Sequence, residues 1–569
     1  MVAGVAWIAI TGLIARAHSH FLSAQVSKLE AALVAGDSTE ADRIAHEMQS
    51  KSASTHALTS GPAWWVAAHV PFLDGPVTSI RAQAALLDDL ASTAMPDAVS
   101  AGEALNPKLL RTGPDSIDLD RLSAALPALE KASAAATAAK RKSLQLPGKT
   151  WLGATNRSQA SLLHEIDTLD TSLTDLTTAA RVLPGPLGAT GVHRYFVAFE
   201  TDAEARGLGG LPGDYAILRT DHGRMDLTRF GSDQDLDGAS SNLDFGVAYN
   251  EMYDGQFSPQ KTFQNSDSSP HFPYAAQIWM GMWEDRFHQH LDGAIATDPS
   301  ALGDLLSAVG PVTLADGTVI NSDDAVRFFE NATYLAFPSY DLAPRKAFQV
   351  LASRAVADQI IHQPSSDLLH SASALQTAAE EGHLLVYVSD PVAERALIGT
   401  PLAGIVPETT RPFLDVVVNN TSGTKLDYYL SRTVTYTRAS CGATPVSVTV
   451  TLHNAAPDHG LPDSVLGRAP GIRPEPIVGE EGFLLSVYGT TGSYIETASV
   501  DGKPAYLESN VERGHPVASI PLDIKPDQTL SVTFHFDDPA ATGPLILATQ
   551  PTIDAQHTTI SGAGNCPIQ

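Results

Sequence analysis

Charged side chains gather in one glycine-rich stretch of the sequence, residues 194–218. Its charged members of interest are Glu200, Asp202, Glu204, Arg206 and Asp214. Apolar runs at 195–199 and 215–218 have the aromatic and aliphatic content that is typical of strands. Gly209 and Gly210 lie between these runs, and glycine lets a ligand approach the backbone closely. Because loops at strand ends often carry function, we expect the site on a charged turn that joins two strands.

A second stretch has the oxygen spacing of a calcium-binding loop. Its carboxylates are Asp233, Asp235, Asp237 and Asp244, with Gly238 at the sixth position. The twelfth position carries Asp244 instead of the usual bidentate Glu, and Ser240 stands where an aliphatic residue is usual. The spacing predicts a Ca²⁺ site, and an acidic solvated loop is the alternative.

Several domains are needed to position these residues, because 569 residues exceed what a single hydrophobic core supports. From 17 to 182 the chain is rich in Ala and Leu at helical spacing, which predicts a helical membrane-proximal domain. From 183 to 411 strand-like and helix-like segments alternate, as in an α/β layer domain. From 412 to 569 short β-rich runs between turn signals predict an antiparallel β-sandwich. The predicted fold class is therefore multidomain α+β.

The charge balance excludes one large class of partner. Lys and Arg number 36 against 64 Asp and Glu, which gives a formal net charge of −28. Nucleic-acid phosphates need clusters of Lys and Arg, which a chain with so large an excess of acidic residues disfavours. We therefore expect no nucleic-acid partner, while the acidity leaves Mg²⁺ or Ca²⁺ open as a cofactor.

Both ends of the sequence favour an exported protein. Residues 1–15 carry no charged side chain, but as a helix they would span only about 22 Å of a ~30 Å hydrocarbon core. We expect 1–16 to be part of a single-pass transmembrane anchor that begins upstream; a cleaved signal and a buried core helix are the alternatives. Cys441 and Cys566 predict a disulfide, as in exported proteins, against two buried thiols in a cytosolic one.

Four segments carry a resemblance to a known family. They are residues 194–214, 291–299, 309–312 and 424–430. On these segments the chain resembles a bacterial envelope family known as domain of unknown function family 4012. The resemblance implies a membrane-anchored protein whose bulk lies outside the cytoplasm, and it implies no settled activity.

The α/β part is also similar, more weakly, to the LytR–CpsA–Psr cell-wall glycan ligases, which transfer a glycan from a polyprenyl pyrophosphate. The positions that correspond to the ligases' charged turn are Asp202, Arg206 and Asp214. Three departures weaken the likeness: the spacing between the first Asp and the Arg is longer here, Gly213 stands where an Arg would precede the second Asp, and a pair of arginines is reduced to Arg327.

This second resemblance implies roles for particular residues. Arg206, Arg327 and Arg345 would clamp the pyrophosphate, since guanidinium groups match phosphate oxygens. Asp202 and Asp214 would hold Mg²⁺, and one of the carboxylates would act as the base. Substrate-binding positions would be Glu200, Glu204, Gly209, Gly210 and Arg327. The alternative is a set of salt bridges that rigidifies the glycine-rich turn.

Three functions remain open on the sequence. The first is an anchored envelope protein that binds, and transfers, a lipid-pyrophosphate-linked wall glycan. The second is a non-catalytic scaffold or glycan-binding protein whose sandwich presents the binding surface. The third is a glycoside hydrolase in which two carboxylates, such as Glu200 and Asp214, flank the cleaved bond. For the first function, Arg206→Ala is expected to abolish polyprenyl-phosphate binding without unfolding the protein.

Overall fold

A computed structural model describes residues 35–562 except 340, 363–367, 439–443, 468–476 and 539–542, together with 25, 28–29 and 31–33. The predicted anchor at 1–16 and both Cys441 and Cys566 lie outside these residues. No helix in the described part of the chain is long and apolar enough to cross a bilayer. The prediction of a multidomain fold of mixed α and β structure, with several sheets, is confirmed.

The described residues form two compact units. The first comprises those up to Gly191 together with Asp221–Arg224, and the second comprises Val192–Thr220 and Met225 onward. The helices of the first unit are α1 (Ser38–Ser60), α2 (Pro62–Ala67), α3 (Asp74–Thr93), α4 (Met95–Ala104), α5 (Pro107–Leu110), α6 (Leu119–Ser143) and α7 (Gly153–Val182). Two short strands, β1 (Arg111–Gly113) and β2 (Ser116–Ile117), pair antiparallel.

Alanines let the two longest helices of this unit approach closely. Ala132 and Ala136 of α6 are fully buried and share a hydrophobic cluster with Leu173 of α7. The side chain of Asp118 caps α6 by accepting a hydrogen bond from the backbone N–H of Arg121, which satisfies a helix N-terminus.

The second unit begins with a sheet that carries the charged stretch. Its strands are β3 (His193–Arg206), β4 (Gly209–Asp221), β5 (Arg224–Ser232), β6 (Gly293–Thr297) and β9 (Leu384–Val388). They lie in the order β5-β4-β3-β6-β9. Strand β3 pairs antiparallel with β4 and parallel with β6, and β6 pairs antiparallel with β9. A two-stranded sheet, β7 (Val312–Thr313) with β8 (Val319–Ile320), follows β6 in the chain.

Helices cover both faces of this sheet. They are α8 (Val247–Tyr253), α9 (Phe272–Phe287), α10 (Pro299–Val309), α11 (Ala325–Arg327), α12 (Thr333–Ala336), α13 (Leu342–His362), α14 (Leu368–Glu380) and α15 (Pro391–Leu397), with a π-helical turn at Phe328–Ala332. Successive strand residues point to opposite faces. Phe196 therefore packs under Trp279 of α9, while Val197 packs under Leu302 of α10. The sheet is thus the middle layer of an α/β/α arrangement.

The remaining strands form two facing sheets. One has five strands: β10 (Phe413–Asn420), β13 (Glu481–Tyr488), β16 (Glu508–Glu512), β17 (His515–Ile524) and β19 (Ile546–Leu547). The other has six: β11 (Leu430–Arg438), β12 (Thr444–Asn454), β14 (Tyr494–Val500), β15 (Lys503–Ala505), β18 (Thr529–Asp538) and β20 (His557–Gly562). A short helix, α16 (Asp463–Leu466), lies between β12 and β13 in the chain. One hydrophobic cluster joins the two sheets, as in a β-sandwich, and it includes Ala205 of β3.

Candidate functional site

The charged stretch is a long β-hairpin, not the open turn that its composition predicts. Strands β3 and β4 continue through it, so that only Gly207 and Leu208 remain as the turn. Arg206 lies opposite Gly209 and Thr201 lies opposite Leu211. Residues 202–204 have no partner on β4, and they form a bulge in β3. Bulges re-aim side chains and are common beside functional sites.

Burial is the common property of the predicted hairpin residues. Glu200, Asp202, Glu204, Arg206 and Asp214 are each at most 7% exposed. Gly209 and Gly210 are buried too, and a Cβ on Gly210 would lie 2.3 Å from the backbone carbon of Thr201. The glycines therefore serve close packing between the two strands. The structure therefore differs from the predicted turn, at which a ligand could approach the backbone of the glycines.

Glu204 and Arg206 neutralise each other inside the protein. The Arg206 guanidinium donates to Glu204 Oε1 at 2.8 Å, and Lys425 Nζ pairs with the other carboxylate oxygen. The guanidinium also donates to oxygens of Ala205, Gln264, Asn265 and Asn420. Burial alone would raise the pKa of Glu204, but Lys425 and Arg206 outweigh it and hold the value at about 2. This arrangement matches the alternative of a rigidifying salt-bridge set.

Asp202 has a different environment, because no Lys or Arg in the described part of the chain pairs with it. Both of its carboxylate oxygens are buried without a hydrogen-bond partner. The ligand atoms of Asp202, Asp298 and His383 all lie within 4.8 Å of one another. Asp298 Oδ2 lies 2.5 Å from His383 Nδ1, and Asp298 Oδ1 accepts the backbone N–H groups that begin α10. Burial lowers the pKa of His383, but Asp298 outweighs it, so that the pKa is raised.

More carboxylates surround this group. We call Glu200, Asp202, Asp267, Asp298 and Glu330 the acidic cluster. Glu330 accepts the backbone N–H groups of Asp202 and Ala203 at 3.2 and 3.0 Å, which fixes the bulge. Burial raises the pKa of Asp202 well above its ordinary value, and its acidic neighbours raise it further. Such a cluster is stable only when protons or a cation compensate its charge.

Asp214 lies in a second group, beside Lys346 and Asp233. Lys346 Nζ pairs with Asp233 Oδ1 at 2.9 Å and donates to the Gly213 carbonyl. Asp214 Oδ1 is buried without a hydrogen-bond partner, and burial raises the pKa of Asp214 to about 7. Asp202 and Asp214, the predicted Mg²⁺ ligands, therefore have different electrostatic neighbours: acidic residues act on Asp202, whereas Lys346 and Asp233 act on Asp214.

The three arginines predicted to clamp pyrophosphate have separate partners. Arg206 pairs with Glu204. Arg327 is 62% exposed and pairs with Asp324, one helical turn away. Arg345 is buried, with its guanidinium carbon 4.3 Å from the centre of the Tyr334 ring, and its Nε has no hydrogen-bond partner.

The predicted calcium loop is likewise divided among separate partners. Asp233 pairs with Lys346, Asp235 accepts from the Tyr215 hydroxyl at 2.8 Å, and Asp244 accepts from the Gly246 N–H. Asp237 is exposed. The structure does not gather these carboxylates around one point.

Four residues around Asp202, namely Asp267, Asp298, Glu330 and His383, escaped the sequence analysis as site candidates. Strand pairing explains why Asp298 and His383 meet Asp202. Thr297, the last residue of β6, lies opposite Phe199 of β3 and opposite Leu384, the first residue of β9. The residue after Thr297, the residue before Leu384 and the bulge that follows Phe199 therefore lie close together. Asp298 directly follows β6 and His383 directly precedes β9. Only the order of the strands in the sheet would have shown that Asp298 and His383 lie beside Asp202.

Residues 190–334 match a family model described as a protein of unknown function, DUF4012. The predicted resemblance to this family is confirmed over those residues, which include the hairpin, β6 and Glu330. The likeness to the LytR–CpsA–Psr ligases finds no such support. No curated protein and no solved structure matches the chain.

Proposed function

We propose that this chain is a non-catalytic scaffold of the cell envelope that binds wall glycan through its β-sandwich. The observation that carries the proposal is the burial of the hairpin charges. A catalytic clamp must offer its donors to the substrate, whereas all three nitrogens of the Arg206 guanidinium donate to protein oxygens. The envelope location is inferred from the family resemblance.

The hairpin has a mechanical role in this proposal. The backbone N–H of Ala205 donates to Asp427 at 2.8 Å, and Gln550 donates to the Arg206 carbonyl. Both partners belong to the part of the chain that builds the sandwich. The buried hydrogen bonds therefore tie the tip of the hairpin to the sandwich, and buried polar networks of this kind rigidify a structure when they are satisfied.

Exposed tyrosines on the six-stranded sheet supply the binding surface. Tyr494 is 70% exposed at the start of β14, and Tyr506 is 84% exposed just after β15. Ala498 pairs with Ala505, which sets Tyr506 beside Thr497. Because of a bulge in β14, Tyr494 and Thr497 lie only two residue steps apart along β18, so the tyrosines are separated by about 7 Å along the strand direction, at ~3.3 Å per residue. Flat aromatic rings at such spacing stack on the apolar faces of successive sugars.

A co-sedimentation assay with purified insoluble wall polysaccharide tests the proposal. The full chain should sediment with the polysaccharide, and the double variant Tyr494→Ala, Tyr506→Ala should lose most of this binding. The matched control is Tyr494→Phe, Tyr506→Phe, which keeps both rings and should bind like the wild type. Equal binding by the Ala and Phe variants would overturn the proposal.

Lipid-pyrophosphate binding is a second candidate, favoured by one observation. Arg345 has an unpartnered Nε and lies near Asp214 and Lys346, so a buried guanidinium donor remains available there. Isothermal titration with a short prenyl pyrophosphate would support this candidate if binding to the full chain is lost in Arg345→Gln. An absence of heat in the wild type would leave the scaffold as the better account.

A further inference from the structure

We propose that Asp202, Asp298 and His383 bind one divalent first-row metal ion. Asp202 lies in the bulge of β3, Asp298 directly follows β6 and His383 directly precedes β9, yet their ligand atoms lie within 4.8 Å of one another. A metal about 2.1 Å from each ligand would hold such atoms roughly 3–3.5 Å apart, so only small side-chain shifts are required. The site is independent of whether the sandwich binds glycan.

The two orphaned oxygens of Asp202 are the first line of support. Asp202 is 1% exposed, and neither Oδ1 nor Oδ2 has a hydrogen-bond partner among the residues that the structure describes. An unpaired buried carboxylate is costly, and coordination of a metal is one of the few ways to compensate it. Two neighbouring oxygens, Glu200 Oε1 and Thr297 Oγ1, are also buried and unpartnered.

Charge balance is the second line. The electrostatic neighbours that act most strongly on Asp202 are Asp298, Glu330, Glu200 and Asp427, all of them acidic. Lys425, a cation that acts electrostatically on Glu330, is already paired with Glu204. A divalent ion would supply the positive charge that this part of the interior lacks.

Ligand chemistry indicates which metal would bind. Mg²⁺ and Ca²⁺ prefer sets made only of oxygen, whereas two carboxylates with an imidazole suit Zn²⁺, Mn²⁺ or Co²⁺. Glu330 would orient the Asp202 ligand, because its carboxylate accepts hydrogen bonds from the backbone N–H groups of Asp202 and Ala203. Backing interactions of this kind orient the ligands of metal sites. The ion would be a structural metal that links the bulge of β3 to the end of β6 and the start of β9.

Metal titration of the full chain tests the inference. After removal of metals with EDTA, the wild type should bind about one equivalent of Zn²⁺ or Mn²⁺ by calorimetry and elemental analysis. Asp202→Asn should weaken this binding at least about tenfold. Because the Asp202 side chain makes no hydrogen bond, its amide variant loses none and should fold. The matched control is Asp415→Asn, another buried carboxyl with an unpartnered oxygen, on β10, which should bind metal like the wild type.

Two further readouts keep the inference falsifiable. Co²⁺ should give a visible absorption band in the wild type that is absent in Asp202→Asn. EDTA should lower the melting temperature of the wild type and leave that of Asp202→Asn unchanged. The inference is overturned if the wild-type protein binds no stoichiometric metal and EDTA leaves its melting temperature unchanged. Protons would then compensate the negative charge of the acidic cluster.

Discussion

Buried charges in the hairpin stabilise one another, and their removal tests the strength of that coupling. Glu204 lies between Arg206 and Lys425, and all three side chains are largely screened from water. Breaking a buried pair leaves a charge uncompensated, which costs about 3–5 kcal/mol. We therefore predict that Arg206→Met lowers the free energy of unfolding by that amount, measured by urea denaturation.

The control for this prediction is Arg327→Met. Arg327 also pairs with a carboxylate, but both side chains are exposed, and exposed pairs contribute little. Its substitution should leave the free energy of unfolding nearly unchanged. Equal losses in the two variants would contradict the argument. The expectation that Arg206→Ala impairs only ligand binding is replaced by an expected loss of stability.

Asp214 makes stability depend on pH. Burial raises the pKa of Asp214 to about 7, partly offset by Lys346, whereas an unfolded Asp titrates near ~3.9. The folded state thus holds the proton more tightly, so the stability due to Asp214 is complete below about pH 4 and is lost as pH rises through about 7. Relative to the wild type, Asp214→Asn should gain roughly 2–4 kcal/mol of unfolding free energy between pH 4 and 8. The prediction is refuted if the unfolding free energies of the wild type and of Asp214→Asn, measured by urea denaturation, change in parallel with pH.

At the level of elements, the tip of the hairpin depends on the absence of a side chain at Gly207. A Cβ there would lie 2.2 Å from the carbonyl oxygen of Ser268, which is closer than any tolerated contact. We predict that Gly207→Ala lowers the melting temperature by several degrees, because backbone must shift in a buried region. Gly255→Ala is the control, since no atom lies within 4 Å of its added Cβ. Similar melting temperatures for the two variants would show that the tip adapts.

Local sequence patterns predicted many elements but not the site. The apolar runs at 195–199 and 215–218 lie in strands β3 and β4 as predicted, because aromatic and aliphatic segments of this kind favour buried strands. The hairpin was misjudged because acidic residues beside glycines are typical of turns, and its buried pairing depends on Lys425, more than 200 residues away. Likewise Asp298 and His383 meet only through the strand order, which no local pattern contains.

On the scale of the whole molecule, the two units have their own hydrophobic cores. Clusters built on α1, α4, α6 and α7 belong to the first unit. In the second unit the α/β layers and the sandwich share clusters: Ala205 packs with the sandwich core, and Tyr334 packs with Leu426 and Val465. Residues before and after position 411 therefore share hydrophobic clusters, whereas the clusters of the first unit contain no residue of the second.

Truncation tests this difference. A chain of residues 190–569 keeps every shared cluster and should unfold cooperatively on heating, as followed by circular dichroism. A chain of residues 412–569 loses the hairpin tip, and with it one buried hydrogen bond each of Asp427 and Gln550 and the contribution of Ala205 to the sandwich core. We expect this shorter chain to aggregate or to lack a cooperative transition. Cooperative unfolding of 412–569 alone would show that the sandwich is an independent domain and that the hairpin does not tie the two parts together.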